Sequence, residues 1–191
     1  MALPMRSRLR CLALAAWAVA SCAQAHELPD NRATFVMRDG NHITATLYLN
    51  LPEVLRKALS PHRSFPEFIL VYSAMDPVRF KEFVEEAEAR MLKAMNITDG
   101  TGRVPVEQKW QWPTVDETRT EIQELAAQLL IAPNAPPHDD PAEVHGDLVT
   151  ARPTAVLRAK FPVEFDRVLA VSYRPKQVWA ETGSVSPDIG F

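Results

Sequence analysis

Apolar residues recur along the chain with two periods, and each period predicts an element. Ala33, Phe35 and Met37 alternate with Thr34, Val36 and Arg38, Asp39-Gly40-Asn41 follows, and Ile43, Ala45, Leu47 and Leu49 then alternate with His42, Thr44, Thr46 and Tyr48. A period of two puts alternate side chains on opposite faces, and Asp-Gly tolerates the positive φ of a tight turn, so 33–50 is read as a β-hairpin. Asp76-Pro77 opens the clearest helix, an N-cap followed by proline at the first helical position. Phe80, Phe83, Val84, Ala87, Met91 and Met95 then recur at steps of three and four, ending near Asn96. Thr114 with Glu117 has capping-box spacing, and Ile122, Leu125, Ala126, Leu129 and Leu130 continue a second helical stripe.

The remaining segments carry weaker patterns. Residues 52–59 allow one or two helical turns with proline at the first position, and 65–72 is apolar on too many sides to be typed. Val104, Val106, Gln108, Trp110 and Trp112 share one face of an alternating run that Pro113 stops. Residues 133–142 hold four prolines and form a loop; 143–151, 155–161, 167–173 and 177–181 read as short strands punctuated by Pro153, Pro162 and Pro175. Strands at both ends with helices between them predict an α+β fold, an antiparallel sheet or sandwich with two inserted amphipathic helices. A β-sandwich with helical insertions is the alternative.

The first 25 residues have a different character. Arg6, Arg8 and Arg10 precede ten apolar residues, 11–20, and Ala23-Gln24-Ala25 supplies the small-x-small pattern of a signal-peptide cleavage site. Ten residues span about 15 Å as a helix, half a bilayer core, so the segment is read as a signal peptide rather than an anchor. Residues 26–191 are then a single globular domain in the periplasm, beginning with His26. Val19-Ala20-Ser21-Cys22 offers a competing cut: it resembles the lipobox of bacterial lipoproteins, which would leave the protein anchored through Cys22.

Removing 1–25 changes the composition in a way that matters for chemistry. It takes away three arginines and both cysteines, leaving 18 Lys and Arg against 24 Asp and Glu, a formal charge of −6. The acidic excess disfavours nucleic acid and anionic surfaces as partners, and a cysteine-free domain excludes disulfides, thiolate metal sites and a cysteine nucleophile. No later segment is apolar enough to span a membrane as a helix.

Common catalytic signatures are absent from the sequence: there is no G-x-S-x-G, P-loop, H-E-x-x-H or S-x-x-K. The reading therefore leans away from an enzyme. The most distinctive feature is His26 as a free N-terminus, because an α-amine and its own imidazole can chelate one cation, and nitrogen donors suit Cu(II). In this respect the junction resembles bacterial periplasmic copper-binding proteins and copper-dependent polysaccharide oxygenases, which begin with a ligating histidine. Glu143-Val144-His145 sets a carboxylate and an imidazole on one strand face, a spacing that resembles the Asp-x-His pair of the periplasmic copper binders, with glutamate in place of aspartate. The resemblance implies a copper site formed by His26 and His145, with Glu143 orienting or ligating. His42, beside the turn at the far end of the hairpin, is the weaker partner; His62 and His138 lie in proline-flanked loops.

Two other readings stay open. Trp110 and Trp112 on one strand face could stack on sugar rings, making the protein a glycan-binding or envelope-interaction module without catalysis, although paired indoles more often pack in a core. Met37, Met75, Met91 and Met95 suggest a thioether copper site, against core packing for Met91 and Met95 on the helical stripe. The copper-oxygenase reading lacks the flat aromatic and polar surface such enzymes present around the metal.

Overall fold

The alternation in the first hairpin is strict, and the chain converts it into two faces of a sheet. The computed structural model describes residues 31–132 and 140–175. Strands β1 (Arg32–Met37) and β2 (His42–Leu49) pair antiparallel, with Ala33 opposite Leu47 and Phe35 opposite Ala45. Gly40 turns between them at φ +66°, where a side chain would be strained. Ala33, Phe35, Ile43, Ala45, Leu47 and Leu49 are buried on one face. Arg32, Thr34, His42, Thr44, Thr46 and Tyr48 occupy the other and remain partly exposed.

Four helices follow from residues that cap them: α1 (Leu51–Leu59), α2 (Phe65–Ser73), α3 (Pro77–Ala94) and α4 (Val115–Ile131). Asn50 accepts from the Glu53 N–H, and Asp76 accepts from Val78 and Arg79. Ser64 with Glu67 and Thr114 with Glu117 form reciprocal capping boxes. Each cap satisfies backbone donors that the helix itself cannot, worth about 1 kcal/mol. The expected helices are α3 and α4, and the short turns at 52–59 are α1. The untyped segment is α2: Phe68, Ile69 and Tyr72 are buried, but Leu70 and Val71 beside them are exposed, so its apolar residues ring the helix and hide the period.

The fold is α+β. A five-stranded sheet runs β4-β5-β2-β1-β7, with β4 (Glu107–Gln111), β5 (Ala142–Val149) and β7 (Leu169–Tyr173); β3 (Asn96–Asp99) and β6 (Leu157–Lys160) make a separate antiparallel pair. The expected antiparallel order holds between β4, β5, β2 and β1, whereas β1 and β7 run parallel. Parallel neighbours need a long crossover, and here nearly the whole domain separates the two strands. The run expected over 104–112 is shorter at its start, since Val104 and Val106 are exposed and pairing begins at Glu107. Pro105 lacks an N–H and cannot extend a ladder. The strand expected over 177–181 lies outside the described residues.

Sheet residues Leu47, Leu49, Val144 and Leu148 share one core with Leu55, Phe68, Phe80, Met91 and Ile122 of the helices. Among the described residues the helices therefore cover one face and leave the other partly or fully exposed. Asn31 locks the corner where β1 begins. Its side-chain oxygen accepts from the Asn50 N–H at 3.0 Å, its amide donates to the Phe165 carbonyl at 2.8 Å, and its own carbonyl accepts from the Leu169 N–H at 3.1 Å. Among the described residues no helix is long and apolar enough to cross a membrane.

Candidate functional site

The uncovered face of the sheet collects the titratable residues that the alternation turns away from the core. On β5 these are Glu143, His145 and Asp147, each exposed between buried Val144, Gly146 and Leu148. The register with β2 puts Glu143 beside Tyr48, His145 beside Thr46 and Asp147 beside Thr44. Tyr48 in turn pairs with Arg32, whose guanidinium lies 4.0 Å from the centre of the Tyr48 ring. Arg32, Tyr48 and Glu143 thus form one row across three strands.

Glu143 and His145 stand on the same face, as their i, i+2 spacing predicts. His145 Nε2 is 3.5 Å from Glu143 Oε2, and both side chains are about half exposed, at 56% and 50%. That separation is an electrostatic pairing rather than a close hydrogen bond, and in water it holds neither side chain strongly. Among the described residues neither group has another hydrogen-bond partner, so both keep ligand atoms to offer a third species. Farther along the face, His42 Nε2 meets Asp147 Oδ1. This pair adds a second imidazole and carboxylate to the face. Asp147 was legible as the next outward residue after His145, but only the β2–β5 register brings His42 to it.

A carboxylate and an imidazole supply two of the three or four ligands that a borderline metal ion takes from protein. Among the described residues no group of three or more His, Cys, Asp or Glu side chains is assembled to hold a metal. A centre built on Glu143 and His145 needs a further donor, and the sequence-based candidate, His26, lies outside the described residues, as does His138. His62 is exposed in the turn between α1 and α2.

The tryptophans occupy the other side of the sheet. Trp110 pairs with Gly146, and its ring lies so close that a Cβ on Gly146 would approach it to 2.4 Å. Both Trp110 and Trp112 pack against the core, and the Trp112 indole N–H is buried without a hydrogen-bond partner among the described residues. These contacts are the packing role that tryptophans on one strand face most often serve. Met91 is buried, and Met37, Met75 and Met95 pack against the same core.

Two carboxyls in the helical layer have unusual protonation. Burial, reinforced by Glu85, raises Glu88 to about 7, and burial with Glu124 nearby raises Glu121 to about 7. Glu88 Oε1 is buried without a partner among the described residues, which is the desolvation that disfavours its charge. Glu53 behaves in the opposite way: hydrogen bonding to Arg56 outweighs its burial and lowers it. The helical period of α3 and α4 does not reveal these two carboxyls, because each has acidic neighbours that are ordinary surface residues. No protein-family model, curated protein or solved structure matches this chain.

Proposed function

We propose that the protein is exported to the periplasm and binds one Cu(II) ion without catalysing a reaction, using the α-amine and imidazole of a processed His26 together with His145, with Glu143 ligating or orienting. The observation that carries this reading is the row Arg32–Tyr48–Glu143. Two strand spacings separate Arg32 from Glu143, about 10 Å, and His145 lies one further pair along, about 7 Å. Six residues of chain link His26 to Arg32, enough to span about 20 Å when extended. The hairpin turn, with His42 beside it, lies at the opposite end of β1 and β2. The chain therefore joins the sheet at the end where Glu143 and His145 sit, which favours them over His42 as partners for His26.

The chemistry is consistent with a binding role. An amine and two imidazoles give nitrogen donors in a set that suits Cu(II), and a half-exposed pair on an open sheet face leaves coordination positions accessible for metal exchange. The test is a Cu(II) titration of protein whose mass confirms His26 as the first residue, beside a form extended by one N-terminal residue and a His145→Ala variant. One equivalent should bind with a nitrogen-rich paramagnetic spectrum, and each alteration should weaken binding at least tenfold with the melting temperature unchanged. Equal affinity in all three removes the proposal. Loss only in the extended form removes His145 from the site, and a diacylglyceryl mass on Cys22 removes His26.

A further inference from the structure

The helix-facing side of the sheet is not covered along its whole width. Ala170 and Ser172 of β7 pair with Ala33 and Phe35 and continue the same inward-facing rows, yet both are exposed. Facing them is the segment 154–161, which includes β6. Between the two runs a groove of about 570 Å³, within the ~300–1,000 Å³ range of small-molecule sites.

The lining is chemically one-sided. Phe35, Met37, Ile43, Leu157 and Phe161 form apolar walls, and Ala159 and Ala170 leave room between them. Among the described residues polar side chains come from Thr154, Ser172, Tyr173 and Arg174, and Arg174 is the charged one. The Thr154 hydroxyl is already engaged with Val156, donating to its carbonyl at 2.9 Å. Among the described residues no carboxylate lines the groove, and Arg174 offers an anion its counter-charge. An alkyl chain is matched to the walls, and a carboxylate is matched to the planar fork of a guanidinium.

We propose that this groove binds a single-chain fatty-acid-type carboxylate, with the alkyl chain along Phe35, Ile43, Leu157 and Phe161 and the headgroup at Arg174. The site is separate from the outward sheet face and does not depend on copper. Ala170 and Ala159 are exposed, so enlarging either fills the groove without disturbing the closed core.

Calorimetric titration of the full-length protein with dodecanoate and with 1-dodecanol, both below their aggregation limits, tests the assignment. Dodecanoate should bind saturably at one equivalent. Arg174→Gln should weaken dodecanoate at least fivefold and leave dodecanol unchanged, whereas Ala170→Phe should weaken both at least tenfold with an unaltered melting temperature. Ala159→Leu serves the same purpose if Ala170→Phe does not fold. Absence of saturable binding, equal affinity in the folded groove-filling variants, or a dimer whose formation excludes dodecanoate each overturns the proposal.

Discussion

Toward the β4 end of the sheet, in β5 and β2, Leu47, Val144 and Leu148 are wholly buried in one core with helix residues Phe68, Phe80 and Ile122, whereas at the β7 end Ala170 and Ser172 point to the same side and remain exposed. The two ends share a backbone plan and differ in what they can bury. A leucine or isoleucine offers enough apolar area to stabilise a helix laid over it by about 1.5–3 kcal/mol, while alanine and serine offer little. β7 consequently completes the sheet through backbone pairing with β1, without attracting a helical cover. Open space on the core side arises where small residues also lack a helical cover, since Ala33 and Ala45 on the same face are buried.

Substitutions at the covered end should be the most costly. Phe80→Ala removes a fully buried ring and should cost about 3–5 kcal/mol, whereas Ala170→Leu on exposed β7 should stay within about 0.5 kcal/mol. Denaturant unfolding of both variants measures the contrast, and equal costs would show that the β7 end is closed as tightly as the other. Gly146 tests how β4 is held at the covered end. Gly146→Ala drives a methyl group into the Trp110 ring, so a loss of about 1–3 kcal/mol is expected. Combining it with Trp110→Ala should recover part of that loss; a strictly additive double mutant would separate the glycine from the indole.

A smaller effect distinguishes the helical layer by pH. Glu88 and Glu121, raised to about 7 mainly by burial, take up protons on folding at pH values where the unfolded chain has released them. Their protonation favours the fold fully below about 4.5 and is lost as pH rises toward 7 and beyond. The lowered carboxyls, Glu53 among them, act with the opposite sign as pH falls through the acid range. The melting temperature should therefore be higher at pH 5 than at pH 8, and Glu88→Gln with Glu121→Gln should flatten that slope. An unchanged slope in the double variant would assign the pH dependence elsewhere.

The β1–β2 hairpin was legible in the sequence because period and turn chemistry agree there, α3 and α4 because period and caps agree, and β5 because it runs between the proline-rich loop and Pro153. Helix α2 was not, since Leu70 and Val71 make its pattern apolar all round. The parallel β1–β7 pair was also hidden, because alternation identifies a strand but carries no information about the direction of its neighbour. Glu143 and His145 could be placed on one face from their spacing alone, whereas the meeting of His42 with Asp147 depends on register between distant strands. The groove at β7 depends equally on tertiary arrangement, since Phe35, Leu157 and Arg174 are far apart in the chain.

The pairing of β1 with β7 also sets the order in which the molecule can be completed. The Asn31–Phe165 bond joins residues 134 positions apart, and the neighbouring β1–β7 ladder is comparably non-local. A chain emerging from its N-terminus can form the first hairpin early, but it holds an unfinished sheet until residue 173 has followed. Such long-range closure slows folding. Until Leu169–Tyr173 arrive, the outer edge of β1 stays unpaired.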